Sequence, residues 1–374
     1  MNKKTIIFTS QLDANLLKFR LPVMLDLKAK GWRVVAMVPK GNYSKQFEDH
    51  KFDTFWIPVK RRSINPFNEI RTIWKFFQGI KAIQPDIVHA FTIKPNIYAS
   101  IISRLVGVKK IVASITGMGA IYSGTSIKAR FMQFILDTLY RLVGIFSHHI
   151  MFQNSDDLEY FIKNRMVKAR KASCIKGSGI DTSIWTKSNH NIGFPIRFIL
   201  IARLLRTKGI LDYCEAAKII KSKYSDQASF YLLGDVDPGN PDSLAKKDVQ
   251  PYIDNKDISF LGWIDNIQEQ LDNKDVFVLP SYYREGIPRT GIEASSMSMP
   301  IITTNSIGCR ELVDDRINGI LVSPKSTQEL VSAMSLFIEN PELIQSMGNE
   351  SRKKAIQEFD IKKVIDQYIQ LYQK

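Results

Sequence analysis

Cysteine and histidine are scarce: three of the former (Cys174, Cys214, Cys309) and five of the latter occur in 374 residues. Cysteines so few and so scattered exclude a disulfide framework or a zinc knuckle, and they suit a reducing compartment. No two histidines form an H-x3-H pair, so a dedicated metal site is not expected. Long apolar runs are missing too. The longest uncharged run, residues 111–127, is broken by Gly117, Gly119 and Gly124. It falls short of the roughly 18 continuous apolar residues of a membrane-spanning helix. The opening ten residues hold two lysines but little apolar length, which reads as a first β-strand and not as a secretory signal. A soluble or peripheral, cytoplasmic protein is expected. Acidic residues are scarce in one half only. Residues 1–190 carry 30 Lys and Arg against 12 Asp and Glu, a balance of +18, whereas residues 191–374 carry 22 against 25, a balance of −3. One half therefore suits an anionic surface that the other does not meet; nucleic acid, acidic lipid, a polyanionic acceptor and a merely solvated basic surface all stay open.

What is present argues for folded α/β structure. The chain is 44% apolar and 24% charged, which excludes disorder, and its length suits two cores. Short apolar strands alternate with amphipathic stretches, the pattern of parallel sheets covered on both faces. The first half predicts strands at 5–9, 33–38, 54–58, 87–90, 110–115 and 149–153. Its clearest helix is Pro66–Ile83, with Asn65 as N-cap and Pro66 at the first helical position. A polar patch at 186–193 precedes a second series of strands at 197–201, 229–233, 258–261, 276–279, 300–303 and 320–322. Two doubly wound Rossmann-like domains, 1–188 and 189–359, follow from this order. Residues 360–374 read as a final amphipathic helix carrying Ile361, Val364, Ile365, Tyr368, Ile369 and Tyr372.

Two segments carry chemistry. In "IARLLRTKGI" (201–210) a strand ends, a short loop follows and a helix begins. Helix N-termini beyond the carboxyl ends of strands attract anions, and Arg203 and Lys208 there suit a diphosphate, although solvated surface cations give the same pattern. In "SYYREGIPRTGIEASSMSMPIITT" (281–304), Gly286 permits a tight turn and Pro288 suits a first helical turn. Glu285 and Glu293 are spaced to face one crevice and accept sugar hydroxyls; the alternative is acidic residues favouring a helix dipole.

Together these segments resemble the Arg-x4-Lys-Gly and E-x7-E elements of glycosyltransferase family 4. "LLGD" (232–235), "ISFLGWIDNI" (258–267), "IGCREL" (307–312), "NGILV" (318–322) and "GSGIDTSIW" (177–185) are further similarities in the family's order. The resemblance implies the GT-B fold, two Rossmann-like domains facing across a cleft, with donor in the second, acceptor in the first and the last helix packing back on the first. It implies a retaining, metal-independent transferase with no cofactor, the nucleotide sugar being the donor substrate. By position, Arg203 and Lys208 would neutralise the leaving diphosphate and Glu285 would contact the donor sugar beside Gly286. Glu293 would hold the ribose, and Gly262, Trp263 and Ile264 would bound the base. Charge develops on the leaving phosphate during transfer, so fixed cations aimed there stabilise the transition state more than the ground state.

The first half departs from the family pattern. Its first loop lacks paired glycines, and Thr116-Gly117-Met118-Gly119 stands where many members place a histidine. Gly117 and Gly119 could still bring backbone to the donor sugar. His89, closing "DIVHA", is open to a structural or a site role. Lys60, Arg61, Arg62, Arg71, Lys75 and Lys81 accompany Trp74, Phe76 and Phe77, and Lys163, Arg165, Lys168, Arg170 and Lys171 form a second group. Cations mixed with aromatics suit contact with an anionic membrane. "FRLP" (19–22) and "NPF" (65–67) look similar to bacterial lipid-linked-oligosaccharide and capsule transferases. That likeness implies a UDP-linked hexose or N-acetylhexosamine donor and a polyprenyl-diphosphate-linked glycan acceptor at the inner face of the plasma membrane. A GT-B transferase on a soluble acceptor and a non-catalytic sugar-nucleotide-binding protein are the alternatives. Nucleic-acid binding is disfavoured, because no helix-turn-helix, RNP or zinc motif is present.

Overall fold

The computed structural model describes residues 3–61, 63, 65–124, 126–188 and 192–373. Arg62 of the basic group, and Asn189 at the expected domain boundary, lie outside the described residues.

The chain forms two compact units, one of Met1–Ser178 with Ile361–Lys374 and one of Gly179–Asp360. The first is built on seven parallel strands: β1 (Thr5–Thr9), β2 (Arg33–Val38), β3 (Asp53–Trp56), β4 (Ile87–Phe91), β5 (Lys110–Ile115), β6 (His149–Phe152) and β7 (Ala172–Cys174). Their order is β3-β2-β1-β4-β5-β6-β7. Helices cover both faces, so successive residues of β1 are all buried: Ile6 and Phe8 point to one core, Ile7 to the other. Strand β7 was not expected, for three half-buried residues at a sheet edge carry almost no apolar signal. The helix Pro66–Ile83 starts as its sequence specifies, the Asn65 side chain accepting from the Phe67 N–H and Pro66 following it.

The second unit holds β8 (Ile196–Ile201), β9 (Ala228–Leu233), β10 (Ser259–Gly262), β11 (Val276–Leu279), β12 (Ile301–Thr304) and β13 (Gly319–Val322). Their order is β10-β9-β8-β11-β12-β13, again all parallel. Both sheets are therefore doubly wound. Each reverses its strand order once, between β1 and β4 in the first and between β8 and β11 in the second, and such a point opens a crevice beyond the strand ends.

The boundary falls earlier than the expected 188/189, because residues after Ser178 pack with the second unit. Ile180 is buried in its core, the Ile180 N–H donates to the Phe359 carbonyl at 2.8 Å, and the Arg352 guanidinium donates to the Trp185 carbonyl at 2.8 Å. The helix Ile361–Gln373 belongs to the first unit, where Ile361, Val364, Tyr368, Leu371 and Tyr372 join the core behind Ile6 and Phe8.

Candidate active site

The two chemistry-bearing segments leave adjacent strands at the switch point of the second sheet. Residues 202–208 follow β8, and residues 280–286 follow β11. Gly209 links the first loop to the helix Ile210–Tyr224 in a left-handed conformation (φ 73°), with its Cα facing the Pro280 carbonyl so closely that a Cβ would meet that oxygen at 2.3 Å. The loops are stitched together: the N–H groups of Tyr282 and Tyr283 donate to the Thr207 carbonyl at 2.9 and 3.1 Å.

This stitching brings Lys208 against Glu285. The ammonium donates to Glu285 Oε1, and both side chains are nearly enclosed, at 11% and 13% exposure. Ser281 Oγ donates to the same carboxylate oxygen at 3.0 Å, and the Tyr283 ring lies 5.6 Å from the ammonium. Lysine and glutamate, seventy-seven positions apart, thus share one charged centre.

Arg203 stands on the same loop as Lys208 but is held by a different carboxylate, its Nη1 donating to Asp237 Oδ2 at 2.5 Å. Asp237 and Asp242 come from the segment after β9. The Thr207 N–H donates to Asp242 Oδ2 at 3.0 Å and the Arg206 N–H to the Asp242 carbonyl at 2.9 Å, so this segment straps the cation loop in place. Neither aspartate was singled out from sequence. The signal that could have found them is the surplus of Asp, Pro, Gly and Asn in residues 235–243, which favours a structured turn.

Two glycines set how closely the loops approach. A Cβ on Gly234 would sit 1.9 Å from the Ala202 carbonyl oxygen, and the Gly234 N–H donates to Gly262 O at 2.8 Å. Gly262 (φ 66°) therefore ends β10 beside the Arg203 loop, with Trp263 after it half-exposed and Ile264 packed against the domain core. Gly308 (φ 82°) has its Cα against Gly286, where a Cβ would come within 1.8 Å of the Gly286 carbonyl oxygen. Beside it Cys309 is buried, and burial, with Glu285 nearby, pushes its thiol up to about 12. It is an inert packing group under the loop.

Glu293 lies in the helix Arg289–Ser296 and is buried, with Arg289 Nε donating to its Oε1 at 2.8 Å. The structure thus joins Lys208 to Glu285, pairs Arg203 with Asp237 and pairs Glu293 with Arg289. Asp237, thirty-four positions from Arg203, is the partner that sequence spacing did not disclose, whereas Arg289 stands four residues before Glu293 on one helix, a spacing that marks a pair.

In the first domain, Gly117 (φ 114°) and Gly119 (φ 78°) follow β5 in left-handed conformations, at the carboxyl end where ligands approach. His89 is placed otherwise. It is fully buried in β4, with Nδ1 2.6 Å from Tyr372 Oη and Nε2 2.6 Å from Ser114 Oγ. Burial first, then the Arg20 charge, holds its pKa well below the usual histidine value. Both nitrogens are engaged inside the core, so the ring presents none of them at a surface.

Among the described residues no group of three or more His, Cys, Asp or Glu is arranged to hold a metal ion. Residues 184–354 match the family described as glycosyl transferases group 1, and residues 8–154 match glycosyl transferase 4-like. The N,N'-diacetylbacillosaminyl-diphospho-undecaprenol alpha-1,3-N-acetylgalactosaminyltransferase of Campylobacter jejuni is 27% identical over 377 residues, covering 98% of this chain and 97% of its own. The UDP-Gal:alpha-D-GlcNAc-diphosphoundecaprenol alpha-1,3-galactosyltransferase of Escherichia coli is 26% identical, covering 87% of this chain and 84% of its own. Among solved structures, Anabaena HepE in complex with UDP aligns with a TM-score of 0.79 at 18% identity over 99% of each chain. Sucrose-phosphate synthase from Thermosynechococcus elongatus aligns with a TM-score of 0.79 at 18% identity over 99% of this chain and 98% of that one. With two glycosyltransferase matches in succession along it and one Rossmann-like domain under each, the chain is a glycosyltransferase of the family 4 type with the GT-B fold.

Proposed function

We propose that this glycosyltransferase moves a hexose or N-acetylhexosamine from a UDP-sugar to a polyprenyl-diphosphate-linked glycan, with retention of anomeric configuration and without a metal. The observation that carries the donor side is the Lys208–Glu285 centre at the switch point of the second sheet, with Arg203 on the same loop. UDP is supported by the HepE complex and by the name of the E. coli relative. The lipid-linked acceptor is supported by the names of both bacterial relatives.

In this reading the departing diphosphate meets Lys208 and Arg203. Lys208 is held in place before the reaction by Glu285, so little reorganisation is needed there as negative charge develops, whereas Arg203 must turn from or share Asp237 to reach the diphosphate. Glu285 accepts a hydroxyl of the donor sugar while keeping Lys208 aimed. Glu293, steadied by Arg289, accepts the ribose hydroxyls, and residues 262–264 border the base. Gly117 and Gly119 leave backbone uncovered by side chains at the carboxyl end of the first domain's β5.

The enzyme works, in this reading, on the cytoplasmic face of an anionic membrane without spanning it. The +18 balance of residues 1–190 and the cations around the helix Pro66–Ile83 support that placement. Among the described residues no helix is long and apolar enough to cross a membrane.

A thermal-shift panel of UDP, GDP and their sugars tests the donor, since a ligand at 100 times its Kd stabilises by about 2.7 kcal/mol. UDP and one UDP-sugar should raise the midpoint; a response to GDP alone would overturn the donor assignment. Arg203→Ala and Lys208→Ala should each lower turnover by about 10²-fold or more, and near-wild-type rates in both would remove the leaving-group role.

A further inference from the structure

Three helices, Pro66–Ile83, Ile93–Val106 and Ile127–Phe146, lie side by side over one face of the first sheet, the middle one touching both neighbours. Their inward sides fill the core with Phe76, Ile80, Ala99, Ile102, Leu136, Tyr140 and Val143. Their outward sides are apolar as well, which a helix facing water alone does not need. On Ile127–Phe146 the residues Ile127, Phe131, Phe134 and Ile145 follow one helical line, and all are exposed, from 63% to 89%. Thr138 and Arg141 complete that line and are exposed too. Phe67 at 83%, Ile70 and Trp74 are exposed on the first helix, and Leu105 at 76% ends the middle one.

The charges on this face are of one sign. Arg71, Lys81, Arg104, Lys128, Arg130 and Arg141 are exposed. Glu69 and Asp137 are the two acidic residues in the three helices, and both turn inward. Glu69 accepts from Lys94 Nζ at 2.7 Å and from the Tyr98 hydroxyl at 2.5 Å. Asp137 accepts from the Tyr122 and Tyr160 hydroxyls at 2.6 and 3.1 Å. The outward surface therefore offers bulky apolar groups and cations together, with its carboxylates withdrawn.

We propose that this three-helix face docks the protein on an anionic lipid bilayer, with the Ile127–Phe146 stripe as the edge that enters the headgroup layer. The proposal rests on the lipid-linked-acceptor reading above and adds which surface meets the lipid. A helix of this kind lies in the interface plane, its apolar line among the acyl chains and its lysine and arginine heads among the phosphates. A second copy of the chain fits less well, because a two-fold contact through this face would set cations against cations. The stripe begins a few residues after the Gly117–Gly119 loop, so the docked edge and the strand-end loop of β5 are joined by a short stretch of chain.

Sedimentation of the whole protein with vesicles of phosphatidylglycerol in phosphatidylcholine tests this. The wild type should bind at low salt, and binding should weaken as salt shortens the Debye length from about 30 Å at 0.01 M to about 10 Å at 0.1 M. The double variant Phe131→Asp with Phe134→Asp should bind about tenfold or more weakly while keeping UDP affinity, since the donor loops lie in the other domain. If that variant misfolds, Ile127→Ser with Phe134→Ser serves, both sites being exposed. Undiminished binding by a folded variant overturns this face and leaves the membrane reading standing. Absence of binding by the wild type overturns the membrane reading itself. A wild-type dimer that the variant converts to monomer, measured by ultracentrifugation, overturns the bilayer in favour of a second copy.

Discussion

Arg203 reaches its place through a carboxylate that no spacing rule nominated. Asp237 draws the guanidinium to one side, and because Arg203 is 39% exposed the pair is worth little in stability. A bound diphosphate must share or take over that guanidinium. Asp237→Asn keeps the shape and removes the competing charge. It should tighten UDP binding by up to about fivefold, the equivalent of an exposed pair of about 1 kcal/mol. Calorimetric titration of UDP into both proteins decides this, and weaker binding by the variant would mean that Asp237 positions Arg203 rather than competing for it. Gly308 acts by what it lacks. At φ 82°, with the Gly286 carbonyl where a Cβ would sit, Gly308→Ala must displace the loop that carries Glu285. We expect a loss of about 1–3 kcal/mol in urea unfolding together with weakened UDP binding. Unchanged UDP affinity would show that Gly308 serves packing alone.

Among the elements, the helix Ile361–Gln373 shows how a buried titratable group ties distant sequence together. Tyr372 Oη meets His89 Nδ1, and Arg20 lies 4.8 Å over the Phe91 ring and 5.9 Å over the Tyr368 ring. His89 has its folded pKa held down by burial, so it is neutral in the fold at a pH where the unfolded chain, at about 6.5, already takes up a proton. Below about 6.5 the unfolded state binds more protons at this position, and stability falls as pH falls; above it the group has no effect. Urea midpoints measured from pH 7.5 down to 5 should therefore drop less steeply in His89→Phe than in the wild type. Equal slopes would place the acid sensitivity elsewhere, for instance at His148, whose pKa is also lowered by burial. Hydrogen exchange should report the same event as loss of protection in Ile361–Gln373.

At the scale of the molecule, chemistry and charge are divided between the units. The cations proposed for the leaving group are side chains of the second domain, fixed by its own carboxylates, so transfer should continue in excess EDTA. A rate that collapses with chelator and returns with magnesium or manganese would contradict the metal-independent mechanism. The +18 balance lies almost wholly in the first unit, so salt should weaken use of a lipid-linked acceptor far more than UDP affinity. Transfer rates at two salt concentrations, compared with UDP titrations at the same two, separate these effects.

Strand periodicity, the capped start at Asn65 and the two loop motifs were legible in the residues themselves. Each rests on a local rule: apolar runs for doubly covered strands, φ fixed by proline, phosphate chemistry beyond strand ends. The sequence by itself therefore determined two doubly wound units, the loops that carry Arg203, Lys208 and Glu285, and the basic character of the first half. Tertiary structure alone decided that the boundary falls at Ser178, because Ile180 and Trp185 find partners in the second core. It also turned His89 inward, and it gave Arg203 to Asp237. The Ile127–Phe146 helix makes the reason plain. It carries apolar residues on two sides, Leu136, Tyr140 and Val143 on one and Phe131 and Phe134 on another, so periodicity alone does not say which is buried; only the sheet beneath it takes the first set and leaves the second outside.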